Sequence, residues 1–155
     1  MPDLLTLDEA IARILERAQP LSSEVVPLDQ AAGRVVAEPA SASVDLPPFA
    51  SSAMDGFAVR SEDTPGTLPV AARIAAGSPS PTALEPGTAA AIATGAAVPE
   101  GADAIVPVEQ SAEENGRVAL AEAARPGAHI RPRGGDVQEG APVVVAGTRL
   151  GPAQI

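Results

Sequence analysis

Three short stretches of this chain hold the residue types that can do chemistry. In "SSAMDGFAVR", residues 51–60, a single carboxylate, Asp55, stands against Gly56, between small residues and the apolar run Phe57-Ala58-Val59. Asp and Gly are common turn formers, because Gly takes positive φ and Asp bonds its own backbone. A bare turn and a carboxylate aimed at a ligand are therefore both open. In "ATGAAVPEGADAIVPVEQ", residues 93–110, Thr94-Gly95 offers a hydroxyl and a close backbone approach, and Pro99-Glu100-Gly101 reads as a tight turn into a strand. Locally, a plain hairpin-like connection also explains it. In "IRPRGGDVQEG", residues 130–140, the period-two rule puts Arg131 and Arg133 on one side of a strand, with Gly134-Gly135-Asp136 turning after them. Two guanidiniums on one face make an anion site, or simply an exposed strand end.

Other catalytic constellations are missing from the sequence. It has no cysteine, so disulfides, thiolate nucleophiles and cysteine-ligated metals are excluded. Its one histidine, His129, rules out a two-histidine metal site and reads as an ordinary residue of the alternating segment "AHIRPR". Neither a G-x-S-x-G elbow nor a phosphate-binding P-loop occurs.

"TLDE" at 6–9 is a capping box, and Ala10, Ile11, Ile14, Leu15 and Ala18 follow at helical spacing, with Arg13 and Arg17 toward the end and Pro20 as the stop. "SEVVPL" reads as a short strand, "LDQAAG" as one helical turn closed by Gly33, and "RVVAE" as a strand. From residue 46 helical periodicity gives way to short β-prone runs between Pro and Gly: "GFAVR", "LPVAARIA", "TAAAIAT", "DAIVPVEQ", "GRVALAE", "AHIR" and "PVVVAG". Asn115-Gly116 is a hairpin signal. Such a run of short strands suggests a compact β-barrel or sandwich. The final "TRLGPAQI" looks like the start of a helix, as if the chain were a fragment of a longer protein.

Composition narrows the partners. The 155 residues carry a formal net charge of −10, and every basic residue is an arginine. That balance argues against nucleic acid and anionic membranes, both of which need a basic face. No apolar run approaches the ~20 residues of a membrane span, and the acidic start is unlike a signal peptide, so the expected location is cytoplasmic. Alanine supplies much of the 45% apolar content and only Phe49 and Phe57 are aromatic. The core is therefore expected from scattered Val, Ile and Leu, in a modestly stable domain that leans on a neighbour.

The three stretches, in this order and spacing, resemble the amino-terminal half of the molybdopterin molybdenumtransferases, the MoeA proteins and the gephyrin E domain. "TLDEAIARIL", "PLDQAAGRVVAE" and "PVVVAGTRL" extend the resemblance over nearly the whole chain. Two details depart from the family pattern: Ser51-Ser52 stands where an asparagine commonly precedes S-A-M, and an arginine-rich run is thinned to Arg131-Pro132-Arg133. The resemblance implies an α+β, mainly β fold. A small discontinuous α+β lobe would be made by residues 1–45 and 141–155, with a compact β-barrel-like lobe inserted at 46–140. The composition shift near Leu46-Pro47-Pro48 agrees with that boundary. The pterin-binding α/β domain and the small carboxy-terminal β domain of the family would lie outside this chain.

The function implied is insertion of molybdenum from molybdate into adenylylated molybdopterin, with Mg²⁺ and release of AMP, by a homodimer. The family's catalytic aspartate and threonine match Asp55, also the candidate Mg²⁺ ligand, and Thr94. The aspartate after the arginine-rich run matches Asp136, and Ser52, Gly56, Gly95, Arg131 and Arg133 join it as candidate substrate-binding residues. A bare carboxylate facing two anions repels each by ~1 kcal/mol at 4 Å in water, and more in a cleft. The arrangement makes sense if Mg²⁺ bridges carboxylate and phosphoryl oxygens, or if Asp55 orients a water. This chain is then expected to supply half of a composite dimer site and to lack turnover alone. The competing reading is a non-catalytic dimerisation or assembly module whose loops serve folding only.

Overall fold

The computed structural model describes residues 5–19, 21–78 and 82–155. By contacts the chain divides into two units, one made of Met1–Ala40 with Val144–Ile155, the other of Ser41–Val143.

In the first unit, α1 (Leu7–Arg17) begins as its sequence dictates. Glu9 N–H donates to Thr6 Oγ1 at 3.3 Å, while Thr6 N–H donates to Glu9 Oε2 at 2.8 Å. Two orphan amides of the first turn are thereby satisfied. Ala18 caps the other end; Pro20, the expected stop, lies outside the described residues. No residue of α1 is buried, and Leu7, Ile14 and Leu15 on its apolar side are more than 60% exposed. The expected turn at 28–33 forms as a 3₁₀ turn, Leu28–Gln30, with Gly33 at φ +80°. Two expected strands do not form. Residues 23–27 join no strand, as befits a largely exposed segment whose Pro27 has no N–H to donate, and Leu28 belongs to the 3₁₀ turn. "RVVAE" makes one bridge, Val35 to Arg149, within a short ladder that includes Val36 N–H to Thr148 O (2.9 Å) and Leu150 N–H to Arg34 O (2.8 Å). The expected terminal helix is a single turn, Gly151–Gln154, closed at 3.1 Å.

The second unit is built on strands. A curled six-stranded sheet runs β6-β3-β5-β4-β8-β7, formed by β3 (Gly56–Val59), β4 (Gly66–Ile74), β5 (Ala89–Ile92), β6 (Ala104–Pro107), β7 (Ser111–Glu114) and β8 (Arg117–Leu120). All its pairs are antiparallel except β4–β5. The curl comes from β4, which pairs with β8 over Gly66–Pro69 and with β5 from Val70 onward, its register shifting between Val70 and Ala72. Asn115-Gly116 makes the expected hairpin turn, both residues at positive φ. Beside the sheet, β2 (Ser51–Ser52) pairs with β9 (Ile130–Arg131); a further short pair, β1 (Ala40–Ser41) with β10 (Pro142–Val144), has Ala40 and Val144 in the first unit and the rest in the second.

Strand alternation sorts the core onto the two faces of the sheet. Phe57, Val59, Ala104, Val106, Val118 and Leu120 lie on one; Ala58, Ile105, Ala90 and Ile92 on the other. The core is richer in alanine than composition suggests: Ala58, Ala89, Ala96 and Ala104 are fully buried. Small side chains there let backbones approach. Gly56 is the extreme case, since a Cβ would overlap the carbonyl oxygen of Val106 and lie 2.9 Å from its carbon. Its φ is not positive, so the demand is for space and not for left-handed backbone. Gly56→Ala should therefore force β3 from β6 and cost about 1–3 kcal/mol, read as a lower denaturation midpoint at unchanged m-value.

Candidate functional site

The three stretches meet on β2. Along one edge, Ser51 pairs with Arg131 and Ser52 with Ile130, and Ala53 N–H donates to His129 O at 2.9 Å. Along the other, Ser51 bridges to Ala97, Ser52 N–H donates to Ala96 O at 3.0 Å, and Gly95 N–H donates to Ser52 O at 2.8 Å. Two serines thus carry a loop on each side, and the chain leaving β2 runs directly into Met54-Asp55.

This arrangement delivers Asp55 to Thr94. Asp55 Oδ1 accepts the Thr94 amide at 2.7 Å and the Thr94 hydroxyl at 2.8 Å. Its Oδ2 accepts no hydrogen bond from the described residues. Both side chains are exposed. The Thr94 amide first, and its hydroxyl second, hold the Asp55 carboxyl below the usual aspartate range. Asp55 is consequently a fixed anion near neutrality, suited to orienting a water or holding a cation rather than to giving up a proton. Gly95 turns the chain after Thr94 at φ +79°, with open space where a Cβ would be.

The other candidates have different surroundings. Ser52 is 1% exposed, and its hydroxyl is spent inside the turn: it donates to Met54 O at 2.6 Å and accepts Met54 N–H at 3.3 Å. Gly56 is buried under Val106. Neither offers a substrate a polar side chain. Arg131 and Arg133 do not share a strand face, because β9 ends at Arg131 and the chain turns at once through Pro132 and Gly134. Arg131 is ion-paired to Asp136, and Arg133 Nε reaches Asp45 Oδ2 at 2.6 Å. His129 is no strand residue either, since its φ is +54°.

Asp45 went unremarked in the sequence. Its Oδ1 accepts the Glu139 amide at 2.8 Å, and that bond and Arg133 hold its carboxyl low. The partners lie 88 and 94 residues away, so no local pattern could signal it.

Comparison with known proteins gives a consistent result. A family profile described as "MoeA N-terminal region (domain I and II)" matches residues 5–155. Molybdopterin molybdenumtransferase 2 of Mycobacterium tuberculosis (strain H37Rv) is 44% identical over 150 residues, covering 92% of this chain and 36% of the relative. Molybdopterin molybdenumtransferase of Synechococcus elongatus is 40% identical over 159 residues, covering 96% and 40%. The crystal structure of the molybdopterin biosynthesis moeA protein of Pyrococcus horikoshii OT3 matches with a TM-score of 0.92 at 33% identity, over 97% of this chain and 42% of that one. The chain thus spans about two-fifths of the length of these relatives.

The Asp55–Thr94 contact has a titration signature. Because Asp55 is held low, the stabilisation from this contact is fully present above the ordinary aspartate value and is lost as pH falls through the lowered one. Thr94→Val keeps the amide, the larger cause, and removes the hydroxyl. The Asp55 midpoint, followed by carboxyl ¹³C NMR, should rise but stay below that of an ordinary aspartate. An unmoved midpoint would show that the hydroxyl bond is absent in solution.

Proposed function

Since the chain belongs to the MoeA family through its N-terminal region, we propose that it supplies the Asp55–Thr94 part of a site that transfers molybdenum from molybdate to adenylylated molybdopterin, releasing AMP. The observation that carries this reading is the pair itself: Thr94 occupies Asp55 Oδ1 from two sides and leaves Oδ2 for a ligand. In this role Asp55 keeps its negative charge through the reaction. Its free oxygen orients a water or an oxyanion-bound cation, and Thr94 anchors the other oxygen.

The fit to Mg²⁺ is a modest one. The described residues contain no group of three or more His, Asp or Glu that could hold a metal ion, and the candidate ligand in this reading is the carboxylate of Asp55. That suits an ion held mainly by water and substrate phosphates. When bound, Mg²⁺ supplies neutralisation of phosphoryl charge beside the carboxylate. The remaining walls of the site come from polypeptide outside this chain, in a homodimer.

An assembly role has its own supporting observation, the exposed apolar side of α1 with Leu7, Ile14 and Leu15. The two readings part on Asp55. In a chimera in which residues 5–155 replace the corresponding region of the M. tuberculosis relative, Asp55→Asn should lower kcat for molybdenum insertion by about 10²-fold or more, the scale of losing one positioned polar group. The oligomeric state should be unchanged. Full activity of Asp55→Asn in an otherwise active chimera would leave assembly as the role.

A further inference from the structure

We propose that Ser52 is the positioning residue for the Asp55–Thr94 pair, a single residue whose side chain and backbone N–H and C=O grip both loops of the site. The inference rests on reading Asp55 and Thr94 as the working pair. At 1% exposure the Ser52 hydroxyl meets no substrate. It instead closes the turn just before Asp55, donating to Met54 O at 2.6 Å and accepting Met54 N–H at 3.3 Å. The backbone of the same residue holds the loop just after Thr94, through Gly95 N–H to Ser52 O at 2.8 Å and Ser52 N–H to Ala96 O at 3.0 Å. Met54 precedes Asp55 and Gly95 follows Thr94, so Ser52 acts one residue from each member of the pair. The distance between carboxylate and hydroxyl is therefore set from a single buried point.

The hydroxyl is the part of this grip that mutation can remove cleanly. Without it, both backbone polar groups of Met54 lose their partner, and the turn carrying Asp55 can drift relative to a Thr94 loop still held by the Ser52 backbone. Displacements of about 1 Å at a reacting group reduce rates by about 10²-fold. Ser51 is the internal control. It lies in the same two-residue strand and is 2% exposed, but the side-chain bonds to Met54 are made by Ser52 alone.

The test reads Asp55 directly, by carboxyl ¹³C titration on this chain, in Ser52→Ala, Ser52→Cys and Ser51→Ala. Ser52→Cys is close in volume with a weak donor, and it carries the test if Ser52→Ala does not fold. Removing or weakening the hydroxyl should raise the Asp55 midpoint toward the ordinary aspartate value and speed exchange of the Thr94 amide, with Ser51→Ala changing neither. In the chimera, Ser52→Ala should lower kcat about tenfold to a hundredfold at unchanged KM. An unmoved Asp55 midpoint in a folded Ser52 variant overturns the proposal, and so does an equal rise in Ser51→Ala. A raised midpoint together with a fully active Asp55→Asn chimera would keep Ser52 as the anchor of the pair while removing the catalytic reading of Asp55.

Discussion

Two adjacent peptide units, those of Ser51 and Ser52, constrain the site more than any charged group does. A two-residue strand normally contributes little, but this one is paired on both edges, with the 129–131 segment on one side and the 95–97 segment on the other. Burial makes those bonds obligatory, because an unpaired amide or carbonyl away from water costs ~1–3 kcal/mol. Three stretches far apart in sequence are thus locked together by backbone hydrogen bonding, and the side chains above them inherit fixed positions. Serine suits this place: it is small enough for the buried strand, and its hydroxyl reaches the following turn.

The same economy of size runs through the sheet. Gly56 lies against the Val106 carbonyl, and the fully buried alanines keep the packed faces of β3, β5 and β6 low. Because β3 follows Asp55 directly, its tight seating on β6 also fixes the exit from the loop, where the Asp55 carbonyl accepts Val108 N–H at 3.1 Å. The Asp55 backbone is therefore held from both directions, by Ser52 at entry and by the β3–β6 seam at exit. Larger core side chains would bury more apolar area per residue, but would need room on the packed faces of the sheet.

Local pattern made some of this legible. The capping box of α1, the Asn115-Gly116 hairpin and the strands β3, β4, β5, β6 and β8 follow from spacing alone, because each depends on neighbours in sequence. Strand β2 did not, since two serines carry no alternation and their pairing partners lie about 45 and 80 residues away. "SEVVPL" failed for the opposite reason, having β-prone residues but no partner to pair with. At the site, the motif resemblance selected Asp55 and Thr94, and only the fold supplied the reason they belong together. The fold also shows what the motif did not, that Ser52 is buried and Gly56 packs against the Val106 carbonyl, and it moved His129 from a strand to a left-handed backbone position.

Two guanidiniums on one strand face would have made an anion site within this chain. Instead Arg131 is met by Asp136 and Arg133 by Asp45, so each cation is matched by a carboxylate at close range. Exposed pairs of this kind contribute about 0–1 kcal/mol to stability, yet they cancel most of the attraction a distant phosphate would feel in screening solvent. With Asp55 itself held ionised, the local field around the pair is not one that gathers anions. An anionic substrate in the proposed reaction must therefore be held mainly by positive charge brought from outside this loop cluster. On the proposed reading, the cluster contributes a rigid carboxylate for that charge, and not for the bare substrate, to meet.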